Sequence, residues 1–271
     1  NGQNRHIRIS LAYVIMIILI WIPMARRKSL AFLDVGQGDC FVADTKSGAI
    51  IFDGGSSSED QVGRYRILPY MKYLGYQKIQ IAVISHMDID HYSGIKELLE
   101  MGKIKYLGLP EIPKDETMKK IIGIAKKRGT TIFYLSRGRQ ITTKDGSLKV
   151  LHPQKNSQME KNAASLVMQG KILGYRVLLT GDVEKEGEEE LLSEELERAD
   201  ILKAAHHGSK NSTSNEFLQK VQPKQTVISC GKQNRYGHPH LETIHRLQTY
   251  RTKIYRTDRS GAIIFFKRRD G

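Results

Sequence analysis

The chain has 271 residues, 39% of them apolar, and its 43 lysines and arginines outnumber 29 aspartates and glutamates. This length and apolar content suit one large domain or two small ones, and they exclude disorder of the whole chain. The net charge of +14 permits a polyanion or an anionic membrane surface as a partner, because positive potential attracts both. The two cysteines, Cys40 and Cys230, form no CxxC motif, so neither a disulfide scaffold nor a cysteine zinc site is expected.

Residues 1–28 contain an uncharged apolar stretch, residues 9–25, with basic residues on both sides. The stretch is close to the shortest length that crosses a membrane, so we predict a transmembrane helix with basic flanks. Its orientation is not fixed by the positive-inside rule, because both flanks are basic. A cleaved signal peptide is less favoured, because no small-x-small cleavage site follows. The chain begins with Asn1 rather than Met, which is compatible with a piece of a longer polytopic protein.

Residues 29–271 form the second predicted domain, in which strand-like and helix-like runs alternate. LAFLDV, CFVADT and AIIFD predict three strands, an amphipathic helix follows at VGRYRILPYMKYLG, and IQIAVIS predicts a buried strand. Helices are predicted at HYSGIKELLEMG and at DETMKKIIGIAKKRG, the second with Asp115 as its N-cap. Later strands are predicted at SLKVLHP, SLVMQG, YRVLLTGD, DILKAAHH, QTVISC and AIIFFKR, with a helix at EKEGEEELLSEEL. Two sheets covered by helices are therefore expected.

The densest group of possible metal ligands lies in the loop SHMDIDH, where the strand IQIAVIS ends and a helix begins. His86, Asp88, Asp90 and His91 fall within six residues, and such a loop can direct two side chains to each of two adjacent ions. The alternative is a polar loop in which Asp90 caps the helix, and for an isolated DxDH sequence that alternative is favoured.

Three further motifs also follow predicted strands. Asp182 ends LLTGD, His206 and His207 lie in LKAAHHGS, and residues 234–240 read NRYGHPH. A strand-end Asp alone is more often a turn or cap residue. Adjacent histidines more often give one ligand and one neighbour than two ligands of one ion. The donor-rich loop alone would be a Gly/Pro turn, whereas beside a metal site it could bind phosphate.

Six short motifs occur in order along residues 30–267, namely LDVGQGD, FDGG, SHMDIDH, LLTGD, LKAAHHGS and YGHPH. Together they resemble the C-terminal hydrolase domain of the ComEC competence proteins. The resemblance implies a mixed α/β fold, the four-layer αββα sandwich of the metallo-β-lactamase superfamily, with metal at one edge between the sheets. It also implies that residues 9–25 are the last membrane helix of a channel protein, or a simple anchor in a relative, with the hydrolase domain outside the cell.

The resemblance further implies two divalent metal ions, Mn²⁺ or Zn²⁺. Their implied ligands are His86, Asp88, Asp90, His91, Asp182 and His206. Asp88 stands where most members of the superfamily have His, so the first site is richer in oxygen and is shifted from zinc toward manganese. No His occurs in residues 160–165, where the superfamily has another first-site ligand. Asn162 could supply an oxygen, but Ala164 stands where relatives tend to have a second Asn, so the first site is expected to be weak.

Other roles carry over in the same way. Asp90 and Asp182 belong to the catalytic centre as well as to the ligand set. His207 and His238 are expected as catalytic groups of the second line, for phosphate contact or protonation of the leaving group. Contacts to DNA or phosphate are expected from Lys203, Ser209, Lys210, Asn234 and Arg235.

Three functions stay open from the sequence. The leading one is a metal-dependent phosphodiesterase or nuclease that acts on DNA, as a single strand, during DNA uptake at the membrane. It fits the basic excess, because residues 1–28 hold only five of the basic residues and +9 remains on the rest. The second is a DNA-guiding domain of the channel with a decayed catalytic centre, as Asp88 and Ala164 suggest. The third is a membrane-anchored hydrolase of a small phosphodiester or ester. The remaining channel helices of a longer ComEC chain are further expected partners.

Overall fold

The structure is a computed structural model that describes His6, Tyr13 and residues 27–159, 162–194 and 196–267. Within these residues no helix is both long enough and apolar enough to cross a membrane. Apart from Tyr13, the transmembrane helix predicted over residues 9–25 lies outside the described residues.

The first sheet, sheet A, has seven strands in the described part of the chain. They are β1 Ser29–Phe32, β2 Phe41–Thr45, β3 Gly48–Phe52, β4 Ile79–Val83, β5 Ile104–Pro110, β6 Thr131–Leu135 and β14 Ile263–Phe266. Their spatial order is β14-β1-β2-β3-β4-β5-β6. The pairs from β14 to β3 are antiparallel and the pairs from β3 to β6 are parallel, so helices cross over the sheet only in its second half.

The second sheet, sheet B, repeats this arrangement with seven strands among the described residues. They are β7 Gln140–Thr143, β8 Gly146–His152, β9 Val167–Ile172, β10 Tyr175–Leu179, β11 Ile201–Lys203, β12 Gln225–Ile228 and β13 Lys253–Arg256. The order is β13-β12-β11-β10-β9-β8-β7. Antiparallel pairs join β7 to β10, and parallel pairs join β10 to β13.

Helices connect the parallel strands of both sheets. They are α1 Leu68–Tyr73, α2 Ile89–Glu100, α3 Glu116–Lys127, α4 Lys185–Leu192, α5 Asn215–Val221 and α6 Leu241–Thr249. The single turn α7 Thr257–Ser260 lies instead between β13 of sheet B and β14 of sheet A. The predicted cap of α3 is confirmed, since the Asp115 carboxylate accepts a hydrogen bond from the Met118 amide at 2.7 Å. This bond satisfies one of the amides that the first turn of a helix leaves unpaired.

Alternate side chains along the strands enter different layers of the core. In β1, Leu30 and Phe32 pack between the two sheets, whereas Ala31 faces the helices. In β10, Leu179 packs between the sheets and Leu178 faces the helices of the other side. Three apolar layers therefore separate helices, sheet A, sheet B and helices. The two sheets with helices of the predicted mixed α/β fold are confirmed, and the alternation explains why they form four layers.

Loops that follow strands of both sheets meet at one edge of the sandwich. Residues 33–40 follow β1, Asp53 follows β3, residues 84–88 follow β4, and Asp182 follows β10. Gly55 shows how closely these loops approach, because a Cβ atom there would lie 2.5 Å from the backbone oxygen of Ile89. This edge brings Asp39, His91, Asp182 and His207 together, and it holds the candidate site.

Candidate metal centre

Four side chains meet at this edge with their ligand atoms within 4.8 Å of one another. They are Asp39, His91, Asp182 and His207, all of them buried. Asp182 lies at their centre, since its Oδ2 atom is 3.2 Å from His91 Nε2 and 3.3 Å from His207 Nε2. A fifth group, Asp90, adds its Oδ2 atom 3.3 Å from His207 Nε2. The His91 and His207 imidazoles and the Asp90 and Asp182 carboxylates thus face a common point.

In three histidines of the site, Nδ1 lies within hydrogen-bond distance of a neighbouring group, whereas Nε2 has no hydrogen-bond partner among the described residues. Nδ1 of His91 lies 3.0 Å from the Asp53 carboxylate, Nδ1 of His207 lies 2.9 Å from the backbone oxygen of Ser229, and Nδ1 of His86 lies 3.0 Å from Ser85 Oγ. The Nε2 atoms of all three are buried and have no hydrogen-bond partner among the described residues. A carbonyl or carboxylate can only accept, so Nδ1 of His91 and of His207 carries the proton.

Burying an imidazole nitrogen without a hydrogen-bond partner costs free energy, and this favours binding of a ligand by these Nε2 atoms. With Nδ1 protonated, a neutral ring presents a lone pair on Nε2, which is the arrangement of a metal-binding histidine oriented from behind. Imidazole and carboxylate together suit Zn²⁺, Mn²⁺ and iron. The residues of this cluster therefore fit a divalent metal ion.

The charges of the cluster support the same conclusion. Burial disfavours imidazolium, but the carboxylates of Asp182 and Asp53 outweigh it and raise the pKa of His91 well above its usual value. The pKa of His207 rises for the corresponding reason, with Asp182 and Asp39 as the carboxylates. Burial alone would raise the pKa of the Asp182 carboxyl, but the neighbouring His207 and His91 outweigh this effect and hold that pKa well below its usual value. The protein thus concentrates negative charge that a cation can neutralise in place of these protons.

Asp39, one of the four cluster residues, lies on the Nδ1 side of the two histidine rings, and Lys203 lies next to it. Asp39 Oδ1 is 3.5 Å from His207 Nδ1, and Asp39 Oδ2 is 3.7 Å from His91 Nδ1, so Asp39 faces the rear nitrogens of both rings. The Lys203 ammonium forms an ion pair with Asp39, reaches Asp182 Oδ1 at 3.5 Å and donates to the Gly181 oxygen at 3.0 Å. The two oxygens of Asp182 are thereby divided, with Oδ1 toward Lys203 and Oδ2 toward the histidines.

We call Asp90, His91, Asp182 and His207 the closed side of the site. Its counterpart, the open side, contains His86, Asp88 and Asn162. His86 Nε2 is 3.8 Å from Asp88 Oδ2, and the His86 and His91 rings are 4.1 Å apart. Burial and the neighbouring His91 lower the pKa of His86 to about 3, so its ring is neutral. Asp88 and Asn162 line a cleft of about 680 Å³, and Ala164 is fully buried.

The structure distributes the sequence-predicted ligands over both sides. His91 and Asp182 fall within the four-residue cluster, Asp90 adjoins it, and His86 and Asp88 lie next to it. His207 belongs to the cluster, whereas His206 is partly exposed, with Nε2 3.8 Å from Asp182 Oδ2 and Nδ1 2.9 Å from Glu184 Oε1. His238 lies beyond the pair, its ring centre 5.3 Å from that of His206 and 6.2 Å from that of His207.

Two functional groups have no role in the sequence-based assignment. Asp39 ends the motif LDVGQGD, and Asp53 lies in FDGG. Asp39 directly precedes the predicted strand CFVADT and Asp53 ends the predicted strand AIIFD, and this position at a strand end was the signal that could have placed the two carboxylates at the metal edge. Asp53 is fully buried and accepts from the Ser85 amide at 2.7 Å while it holds His91.

The predicted phosphate contacts divide into buried and exposed groups. The expected phosphate contact of Lys203 is corrected by the structure. Its side chain is buried, with 4% exposed, and its ammonium already contacts Asp39, Asp182 and Gly181. Ser209 is also buried. The exposed groups are Lys210 and Arg235.

Asn234 uses its side chain within its own loop. Its Nδ2 donates to the oxygens of Gly231 and His238, and its Oδ1 accepts from the His238 amide. Asn234 therefore shapes the loop that carries Arg235.

The fold and the site agree with what the sequence matches. The Metallo-beta-lactamase superfamily model matches residues 33–232, and the chain therefore belongs to that superfamily. Its fold resembles that of the metallo-beta-lactamase fold protein YhfI from Bacillus subtilis, with a TM-score of 0.58 and 14% identity over 87% of this chain and 99% of that chain.

The chain is also similar in sequence to competence proteins, which form a smaller group within this superfamily. The chain is 35% identical to ComE operon protein 3 of Bacillus subtilis (strain 168), over 95% of this chain and 35% of that protein. It is 30% identical to competence protein ComA of Neisseria gonorrhoeae, over 88% of this chain and 32% of that protein. The resemblance to ComEC-family competence proteins is thus confirmed, and the chain spans about a third of the length of these relatives.

Proposed function

We propose that this chain is a metal-dependent phosphodiesterase that cleaves DNA, as a single strand, during DNA uptake at the cell membrane, with its hydrolase domain outside the cell. The observation that carries the proposal is the convergence of His91 Nε2 and His207 Nε2 on Asp182 Oδ2, with both ring nitrogens buried and without hydrogen-bond partners among the described residues. The competence-protein relatives support DNA as the substrate.

In this proposal Asp90, His91, Asp182 and His207 would hold one ion on the closed side. His86 and Asp88 would hold another ion on the open side together with Asp182, and Asn162 lies beside them on the cleft. Asp39 and Asp53 orient the histidines from behind rather than bind metal, since they face Nδ1. Divalent ions at such a pair of sites supply an acidified water near neutral pH and neutralise the charge that develops on a phosphodiester.

The chain's own groups complete the site. Lys203 compensates the negative charge of Asp39 and Asp182 from behind and keeps Asp182 Oδ2 turned toward the histidines. His206 lies between Asp182 and Glu184 at the exposed rim, where it lines the entrance to the site. His238 has a buried Nδ1 atom without a hydrogen-bond partner among the described residues, which suits a hydrogen bond to a phosphate oxygen.

Basic groups on one rim of the site favour a polyanion. Lys210 and Arg235 are exposed, and Arg235 lies close enough to Asp90 for the two charges to interact. Binding through such groups is largely independent of sequence and weakens steeply with salt, because each phosphate contact releases counterions.

Cleavage of a labelled single-stranded oligonucleotide by the full chain tests the proposal. We expect Mn²⁺ to support cleavage at least as well as Zn²⁺, and a chelator to abolish it. The absence of cleavage with either metal, on protein whose metal content has been measured, would overturn the nuclease assignment. Cleavage of a small phosphodiester but not of DNA would favour the small-substrate hydrolase instead.

A salt series on the same strand tests the basic rim. Replacing Lys210 and Arg235 together by Ala should flatten the slope of log affinity against log salt by about one to two units, if each contacts one phosphate. The matched control replaces Lys126 and Lys127, exposed at the end of α3 away from the site, and should leave the slope unchanged.

A second function, a DNA-guiding domain with a decayed centre, is favoured by one feature of the open side. Ala164 is buried and has no atom that could bind a metal, and Asp88 replaces a histidine of the superfamily pattern. This function predicts binding of the strand without cleavage at any metal concentration, which the experiment above distinguishes.

A further inference from the structure

The loop 231–240, GKQNRYGHPH, contains no acidic residue and projects an aromatic ring beside the metal centre. Tyr236 is 42% exposed and stacks on His238, with ring centres 5.7 Å apart and planes inclined by 21°. The Arg235 guanidinium lies 4.8 Å from the centre of the Tyr236 ring, and its Nη2 donates to the tyrosine hydroxyl at 2.6 Å. A cationic group and a flat apolar face are thus combined at one place.

The loop holds this ring in a fixed position. The Asn234 side chain bonds both to Gly231 and to the backbone of His238, so one residue closes the loop across its width. The Gly231 amide in turn donates to Gln37 Oε1 at 3.0 Å, which attaches the loop to residues 33–40 at the metal edge. A platform that is already ordered loses little conformational entropy when it binds a partner.

The cleft on the open side of the site has the reverse chemistry. Among the described residues, this cleft beside Asp88 and Asn162 is also lined by Glu184, Glu186 and Glu189, with Lys185 as its one cation. Four carboxylates repel a phosphate backbone, whereas the loop 231–240 attracts it. A strand whose phosphate lies at the closed side is therefore directed over Tyr236.

We propose that Tyr236, with Arg235 against it, is a stacking platform for one nucleobase of a single strand bound at the metal centre. This inference rests on the proposed function, in that it takes a single strand as the ligand. Aromatic rings of this kind accept every base, because each base has a π face, and Arg adds a cation–π contribution. A duplex hides its base faces in the stack, so the platform selects single strands.

Binding of an oligonucleotide to the full chain tests the platform, with Ca²⁺ in place of a transition metal to limit cleavage. Tyr236→Leu should weaken the affinity about tenfold, the usual effect of losing one stacked base. Tyr236→Phe should retain most of the affinity. Because stacking is uncharged, Tyr236→Leu should leave the salt slope unchanged, unlike a substitution of Arg235. Tyr73→Leu, at a tyrosine that is 71% exposed on α1, is the matched control and should bind as the wild type does.

An abasic strand separates stacking from backbone contact. Wild type and Tyr236→Leu should bind it equally, because it offers phosphates without bases. The inference is overturned if Tyr236→Leu binds the normal strand like the wild type, if it loses as much affinity for the abasic strand, or if the wild type binds no single strand. Strand binding through Tyr236 without cleavage when Mn²⁺ or Zn²⁺ replaces Ca²⁺ would refute the nuclease proposal alone. Cleavage at subsaturating strand that is unaffected by Tyr236→Leu would refute the platform alone.

Discussion

The closed and open sides of the metal centre differ in how completely the protein orients them. On the closed side, Nδ1 of His91 is held by a buried carboxylate and Nδ1 of His207 by a backbone oxygen. On the open side, the Ser85 hydroxyl is the one group among the described residues that is hydrogen-bonded to His86, and Asp88 is 35% exposed at a wide cleft. Carboxylates and carbonyls fix a ring's tautomer, whereas a hydroxyl can donate or accept and fixes nothing.

This difference suggests a division of labour. A site whose ligands are oriented in advance binds its ion tightly, because little reorganisation accompanies binding. A site with exposed, oxygen-rich ligands exchanges its ion more easily and leaves room for a substrate. We infer that the closed side holds the resident ion and the open side is filled together with substrate. The predictions below test this comparison.

The largest effect is expected at Asp182, which lies on the closed side and which the proposed function assigns to both ions. Asp182→Asn should lower the cleavage rate by about 10³-fold or more. The amide lacks the negative charge that attracts the two cations, and charge stabilisation by such cations lowers the barrier by several kcal/mol. Melting temperature should show that the fold persists. Asp200→Asn is the matched control, because Asp200 is equally buried but precedes β11 at the other edge. Near wild-type turnover of Asp182→Asn would exclude a bridging role.

The neighbouring histidines should behave differently. His207→Ala should reduce metal affinity by roughly a hundredfold or more, because a direct ligand contributes at least as much as the groups behind it. His206→Ala should have a much smaller effect, since His206 lies 3.8 Å from Asp182 at the partly exposed rim. Isothermal titration with Mn²⁺ measures both. An equal loss in the two variants would return His206 to the ligand set.

Asp53 tests the orientation of the closed side. Asp53→Asn should weaken metal binding by about 10–100-fold, the usual range for a group that orients a metal-binding histidine. The same substitution should affect binding to the open side much less, because the Asp53 carboxylate is bonded to the His91 ring of the closed side. If competition with a fluorescent chelator gave one affinity for wild type and variant, the tautomer of His91 would not depend on Asp53.

A small effect is expected on the open side. Asp88→His should raise the ratio of the zinc-supported to the manganese-supported rate by a few-fold, because imidazole is a softer ligand than carboxylate. Glu186→His, in the lining of the same cleft, is the control for an added imidazole at the rim. A ratio that is unchanged in Asp88→His would mean that Asp88 does not bind the ion that limits the rate.

Much of the fold could be predicted because it is written in local patterns. The central strands are short apolar runs, and β4 and β10 read almost without a polar residue. The strands that the sequence did not reveal are mainly at the edges, such as β7 and β13, which are short and carry polar or charged side chains. An edge strand is defined by its neighbour rather than by its own composition, so its sequence gives a weak signal.

The site was predictable as a set of motifs but not as a geometry. Most of the ligand-type residues of the site were found, but Asp39 and Asp53 were given no role. Which of His206 and His207 enters the cluster depends on a turn in which both have positive φ angles, 48° and 52°. The burial of Lys203 could not be found either, since a lysine at the end of a strand is normally exposed. Its burial depends on Asp39, which lies far away in sequence and only the tertiary fold brings near.

The most direct test of the metal centre is the number of ions that the chain retains. Apo protein is loaded with Mn²⁺, freed of unbound metal by gel filtration and analysed by elemental analysis. We predict one tightly held ion per chain, lost in His207→Ala and kept in Asp88→Ala, and a second ion that binds only in excess Mn²⁺. No bound ion at saturating Mn²⁺, or an ion that survives in His207→Ala, would contradict the assignment of the closed side.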